Sequence, residues 1–147
     1  MDLKLEALFV PVSDVDRAKA FYELLDFRVD LDYIASEDYR AAQLTPPGSK
    51  ASIIIGKGIT TAAPGSLQNT ILAVSDILAS RADLVEKGVD VSEVFHYADG
   101  FILNVDHQYR LAGLHPDRAD YLSFASFNDP DGNSWLLQEL NTRLAGR

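Results

Sequence analysis

One short pattern returns in this chain at a fixed interval. Val12-Ser13-Asp14-Val15 reappears as Val74-Ser75-Asp76-Ile77, an offset of 62 residues from position 14 to position 76. The surroundings repeat with it. Ahead of the first copy, Leu3 to Val10 alternates so that Leu5, Ala7 and Phe9 share one face of a strand and Leu8 and Val10 the other. Ser13 is placed as an N-cap, with Asp14 and Asp16 near the positive end of a helix dipole. Val15, Ala18, Phe21, Tyr22 and Leu25 then follow at helical spacing. In the second copy Thr70 to Val74 reads as a strand and Ser75-Asp76 as the cap. Ile77, Leu78, Ala82 and Val85 mark a helix, and Gly88 is placed to end it in a left-handed conformation. The same offset carries Phe27 onto Val89, each the start of the strand after its helix. A repeat of element order as well as of letters predicts two similar modules.

The remaining segments complete each module. Phe27 to Ile34 reads as a strand in which Asp30 and Asp32 alternate against Val29, Leu31 and Tyr33. Tyr39 to Leu44 is a second, ended by the turn-forming Thr45-Pro46-Pro47-Gly48, and Ala51 to Ile55 a third. Gly56 to Gly65 has the composition of a linker. Val89 to Tyr97, Tyr121 to Phe127 and Ser134 to Leu140 are the later strands, and Ala98 to Asp120 is an irregular insertion rich in aromatic, His and Asp residues. The predicted fold is therefore α+β, with two βαβββ modules forming curved mixed sheets around a central cavity. Module one is expected over about 1–56, the linker over about 57–66 and module two over about 67–147, within one domain spanning 1–147.

Charge and composition narrow the function classes. A net charge of −9, spread along the chain, repels phosphate backbones and acidic headgroups, so neither nucleic acid nor membrane is an expected partner. Apolar runs such as Ile53-Ile54-Ile55 are too short to cross a bilayer, and the N-terminus lacks the pattern of a secretory signal. With no cysteine there is no disulfide framework or thiolate chemistry, and the expected location is the cytoplasm. No Ser-His-Asp arrangement, phosphate-cradling glycine loop or dinucleotide fingerprint is present.

Two βαβββ units, a V-S-D-x-x-x-A-x-x-F-Y signature and the closing segment Phe127-Asn128-Asp129-Pro130-Asp131-Gly132-Asn133 resemble the glyoxalase/bleomycin resistance/dioxygenase (vicinal oxygen chelate) superfamily. The closing segment also reads physically: Pro and Gly suit a tight turn, across which Asp129 can bond the backbone, so it identifies the family and does no chemistry. In metal-using members, the resemblance implies, each module contributes one ligand from its first strand and one from its last, typically His, Glu or Gln. Counting seven residues back from Asp14 and Asp76 gives Ala7 and Asn69. Four past Gly132 gives Leu136, and its counterpart in module one falls at Ile54 among Ile53 to Ile55. Only Asn69 could donate an oxygen, so no metal and no cofactor is expected.

The parity that turns Ala7 and Asn69 inward also turns Phe9, Ile71, Leu136 and Gln138 inward, with Tyr33, Gln43, Tyr97, Phe101 and Phe124 as further candidate ligand-binding residues. Such an apolar, aromatic concavity with a few amides suits a small organic ligand. The resemblance to bleomycin-resistance-type members implies a small-molecule binder that works as a homodimer. The alternative is a lyase, isomerase or dioxygenase of the same superfamily, for which His96 and His107 are the candidate general acid/base residues.

Overall fold

The computed structural model describes residues 1–98 and 109–145. The chain divides into two compact units, residues 1–67 with 129–133, and residues 68–128 with the remainder from 134. The first unit runs β1 (Ala7–Phe9), α1 (Val15–Leu24), β2 (Arg28–Ser36), β3 (Tyr39–Thr45) and β4 (Ser52–Lys57). The second runs β5 (Thr70–Val74), α2 (Ile77–Glu86), β6 (Phe95–Tyr97), β7 (Arg110–Ala112), β8 (Phe124–Asn128) and β9 (Ser134–Glu139).

Each unit is a mixed sheet carrying one helix, which makes the fold α+β. The first sheet has the order β1-β4-β3-β2 and the second β5-β9-β8-β6-β7. In both, the opening strand pairs in parallel with the closing strand, β1 with β4 and β5 with β9, while the strands between are antiparallel. The two helices keep the repeat offset at both ends, Val15 to Ile77 and Leu24 to Glu86.

The caps fall one residue later than the sequence predicts. Asp14 and Asp76 are the N-caps, each in extended conformation with its carboxylate accepting the backbone N–H three residues on, from Arg17 and Ala79. A carboxylate there meets both the unpaired N–H and the helix dipole. Ser13 instead uses its hydroxyl on Asp131, as described below.

Most strand boundaries also move, among them Tyr121 to Phe127, which becomes Phe124–Asn128. Of Leu3 to Val10, only Ala7–Phe9 is strand, because those are the residues that find partners on β4, Ala7 with Ser52 through Phe9 with Ile54. Val89 to Tyr97 contracts to β6, with Val91 making a single bridge to Phe127. The insertion, expected to be irregular, contributes β7 as an added edge strand on β6.

In β2 the simple alternation fails at a bulge between Val29 and Leu31. Val29 pairs with Leu44 on the helix side and Leu31 with Gln43 on the other, so Val29 leaves the company of Leu31 and Tyr33. The helix side of the first sheet carries Val10, Ala42, Leu44, Ile53 and Ile55, buried together with Ala18 and Tyr22 of α1. The helix side of the second carries Trp135, Phe127 and Leu137, with Ile77 of α2 fully buried.

The closing turn Asp129–Asn133 belongs to the first unit. Asp129 is 5% exposed; its Oδ1 accepts the N–H groups of Asp131 and Asn133, both at 2.9 Å, and its Oδ2 accepts Tyr22 Oη at 2.8 Å and Asn133 Nδ2 at 2.7 Å. Asn133 also donates to the Pro11 carbonyl and accepts from Leu67 N. Asp131 takes Ser13 N at 3.0 Å, Ser13 Oγ at 2.5 Å and Arg17 at 3.2 Å. The motif is thus a clasp that ties the turn to α1 and its entry, and its polar groups are consumed in doing so.

Candidate functional site

Each sheet has a second face, away from its helix, and there the candidate residues gather. In the first unit the register puts Ala7 and Phe9 of β1, Ile54 of β4, Gln43 of β3, and Leu31 and Tyr33 of β2 on that face. The apolar members stand open: Phe9, Leu31 and Tyr33 are 53%, 54% and 55% exposed. Phe9 stands on one edge strand and Leu31 and Tyr33 on the other, with Ile54 and Gln43 between them, so the face presents exposed apolar side chains around a polar centre.

Beneath them runs a polar chain. Gln43 Nε2 donates to Ser52 Oγ at 3.1 Å, Ser52 Oγ and Thr45 Oγ1 are 2.8 Å apart, and Thr45 donates to Asp30. The Thr45 hydroxyl, then the Arg28 guanidinium, holds the Asp30 carboxyl below its ordinary range. Sequence reasoning found Gln43 but missed Asp30, Thr45 and Ser52, because a strict alternation in β2 hides how the bulge brings Asp30 to Thr45.

In the second unit Ile71 and Ala73 of β5, Leu136 and Gln138 of β9, Phe124 and Ser126 of β8, Phe95 and Tyr97 of β6, and Arg110 of β7 share the corresponding face. Here the aromatics are packed. Phe95, Tyr97, Phe124 and Leu136 form one buried cluster, with Phe95 stacked on Phe124 at 5.8 Å and Tyr97 edge-on to both. Gln138 is buried and spends its amide on the Tyr121 carbonyl at 3.1 Å. Ile71, by contrast, is 37% exposed.

Asn69 departs from the expectation built on it. It lies one residue before β5 with φ of 57°, a left-handed backbone that interrupts strand alternation, and its N–H donates to Ser134 Oγ at 2.7 Å. Strand parity therefore does not carry through it.

His96 is on the opposite face of β6 from Tyr97 and Phe95. Its Nδ1 donates to the Gly113 carbonyl at 2.9 Å, and its ring stands edge-on to His115 at 5.5 Å. That orientation turns it away from the aromatic cluster. Phe101 and His107 lie outside the described residues.

The donor set does not fit a metal ion. Ala7, Ile54 and Leu136 carry no donor atom, and among the described residues no group of three or more His, Asp or Glu side chains is placed to hold one. Glu139 is on the helix side of β9, where it accepts Ile77 N at 3.0 Å and the Arg118 guanidinium.

A separate concavity of about 620 Å³ lies in the first unit between the first turn of α1 and the helix side of β2 to β4, lined by Asp14, Asp16, Ile34, Arg40, Lys57 and Pro64 among others. Its cations are already engaged. Arg40 binds Asp16 and both oxygens of Asp32, and Lys57 the Glu37 carbonyl. It offers a ligand less than the open apolar face does.

Comparison with known proteins places the chain in a family. The sequence model of a family described as the Glyoxalase/Bleomycin resistance protein/Dioxygenase superfamily matches residues 4–137. Among solved structures, TnmS3, an antibiotic binding protein from Streptomyces sp. CB03234, is 28% identical, with 95% of this chain and 98% of that one covered at a TM-score of 0.68. A glyoxalase/bleomycin resistance protein from the same organism is 32% identical over 91% of this chain and 99% of that one, with a TM-score of 0.63. A member of this superfamily from Sphaerobacter thermophilus DSM 20745, 22% identical over 94% and 98%, has a TM-score of 0.69 and shows the fold alone. The comparison with curated proteins finds no match.

Proposed function

Because the chain belongs to the glyoxalase/bleomycin resistance protein/dioxygenase superfamily, we propose that it is a small-molecule-binding protein that holds an organic ligand against the open faces of its sheets, without a metal ion. The observation that carries this reading is the character of those faces. At the positions where the resemblance implies metal ligands the chain has Ala7 and Ile54 in the first unit and Leu136 in the second; the first unit's face also carries Phe9, Leu31 and Tyr33, and the second unit's face carries Ile71. An apolar surface with a few fixed polar groups, here Gln43, Ser52 and Thr45, is the composition of a site for a drug-sized molecule. The likeness to an antibiotic binding protein at 28% identity supports the same reading. Phe9, Leu31 and Tyr33 are already about half buried, so covering each contributes on the order of 1 kcal/mol, and the fixed polar groups must add to that to offset the cost of association.

The test is a thermal-shift screen of planar aromatic compounds in the presence of a chelator. A compound at about 100-fold its dissociation constant should stabilise the protein by about 2.7 kcal/mol, and Phe9→Asp or Tyr33→Ala should reduce the shift without lowering the melting point of the free protein by more than a few degrees. If no compound shifts the midpoint, or if shifts and turnover arise only with added divalent ions, the metal-free binding reading falls and an enzymatic one replaces it. We also place the protein in the cytoplasm as a homodimer; sedimentation equilibrium that returns only monomer at micromolar concentration would refute the latter.

A further inference from the structure

Among the described residues of the second unit, two buried side-chain polar atoms have no hydrogen-bond partner, Tyr97 Oη and Arg110 Nε. Their residues are cross-strand neighbours. Tyr97 and Arg110 are directly opposed in the β6–β7 pair, so their side chains leave the same face with Cβ atoms about 5 Å apart. That face is the one bearing the Phe95, Phe124 and Leu136 cluster.

Arg110 is set apart in a second way. Its guanidinium carbon sits 3.9 Å from the Phe95 ring centroid and its Nη1 donates to Ser126 Oγ at 3.3 Å, but no carboxylate among the described residues pairs with it. Arg17, Arg28, Arg40, Arg81 and Arg118 each meet one. In a chain with 22 acidic against 13 basic residues, a half-buried arginine without an acid is the exception. An unsatisfied buried donor costs about 1–3 kcal/mol, and native proteins keep such groups where something else completes them.

The missing partner has a definite chemistry. Arginine can only donate, and the hydroxyl of a tyrosine paired beside it on the same face can donate to a shared acceptor. Two donors, one of them a cation, beside an aromatic floor call for an anionic oxygen on a flat apolar body. We propose that Tyr97 and Arg110 form the polar end of the ligand site and receive a carboxylate or phenolate oxygen of an aromatic ligand. The inference rests on the binding reading above and names the ligand class.

The experiment uses matched pairs of aromatic carboxylic acids and their methyl esters, from one to four fused rings, titrated calorimetrically into the wild type and into the Arg110→Gln and Tyr97→Phe variants. The wild type should prefer the acid in at least one pair by about tenfold or more, the worth of one charge-assisted hydrogen bond. Arg110→Gln should bring acid and ester within twofold of each other, and Tyr97→Phe should weaken the acid severalfold, with the ester unchanged in both. A second measurement keeps the test sound if Arg110→Gln folds poorly. Because the Tyr97 hydroxyl is unpartnered in the free protein, Tyr97→Phe should leave the melting midpoint equal or raised. A wild type that binds ester as tightly as acid, variants that keep the full acid preference, or a Tyr97→Phe protein that is clearly destabilised would each overturn the assignment while leaving the binding reading intact. Binding of neither acids nor esters would bring down both.

Discussion

Replacing Asp129 by Ala should be among the most destabilising single changes outside the apolar core. Its carboxylate accepts four hydrogen bonds, and two of the donors, Tyr22 Oη and Asn133 Nδ2, belong to side chains with no solvent exposure. Alanine leaves both without that acceptor; Asn133 Nδ2 keeps only its bond to Pro11 O. At about 1–3 kcal/mol for each buried donor left short, with some relief from an entering water, the loss comes to about 4 kcal/mol. The isosteric Asp129→Asn tests the mechanism more finely. Tyr22 can turn its hydroxyl to accept from the new amide, but Asn133 Nδ2 then faces a donor, and it cannot flip because its oxygen already accepts Leu67 N. That predicts about 2 kcal/mol for Asp129→Asn and about 1.5 kcal/mol for Tyr22→Phe, with a double variant less destabilised than the sum. Urea unfolding followed by circular dichroism reads all three. An Asp129→Ala protein within 1 kcal/mol of wild type would refute the clasp, and so would a loss of ligand affinity out of proportion to the folded fraction.

Three further outcomes follow from the same geometry. Asp32 accepts from Arg40 at 2.9 and 2.8 Å and from Lys19 at 3.0 Å, and these bonds, Arg40's first, hold its carboxyl well below the usual carboxylate range. A folded pKa below the unfolded one gives stability that is present above about pH 4 and lost as pH falls toward the folded value, so Asp32→Asn should cost about 1–2 kcal/mol at pH 7, with the gap narrowing below pH 4 in urea titrations. Gly65 has φ of +78° and a Cβ there would run into the Asp131 carbonyl oxygen, whereas Gly88, at +83°, has open space around it. Alanine should therefore cost about 3 kcal/mol at position 65 and about 1 kcal/mol at 88, measured by thermal unfolding. Phe124→Ala, at a fully buried ring stacked on Phe95, should cost about 4 kcal/mol and loosen the aromatic cluster, visible in near-ultraviolet circular dichroism.

What was legible in the sequence was whatever depends on period and punctuation. The repeated Asp14 and Asp76, the helical spacing after each and the alternation around Ala7, Phe9 and Ile54 led to two helices and to the correct open face of the first sheet. Where alternation is interrupted, reading by parity failed. The bulge after Val29 reassigns a face within β2, and the left-handed Asn69 removes the one amide from a regular register. Leu3 to Glu6 has strand character, but β4 begins at Ser52, whose N–H reaches only the Glu6 carbonyl, so the ladder stops at Ala7. Burial was the other hidden quantity: nothing in the spacing of Tyr97, Phe124 and Leu136 distinguishes a lining from a packed cluster, since both bury one face of the strand. Arg110 could not be found at all. It is one of two arginines in a stretch that reads as irregular, and its significance depends on standing opposite Tyr97 in a pairing that only the fold creates.

On the proposed function, carbon side chains and a few fixed hydrogen-bonding groups hold the ligand directly. Calorimetric titration of a screened aromatic ligand into protein freed of metal by a chelator tests it most directly, repeated after saturating addition of zinc, iron(II), manganese or nickel. Metal-free binding gives the same stoichiometry and the same dissociation constant, within twofold, in every titration. Heat that is absent from the chelated protein and returns with one of the ions would contradict it.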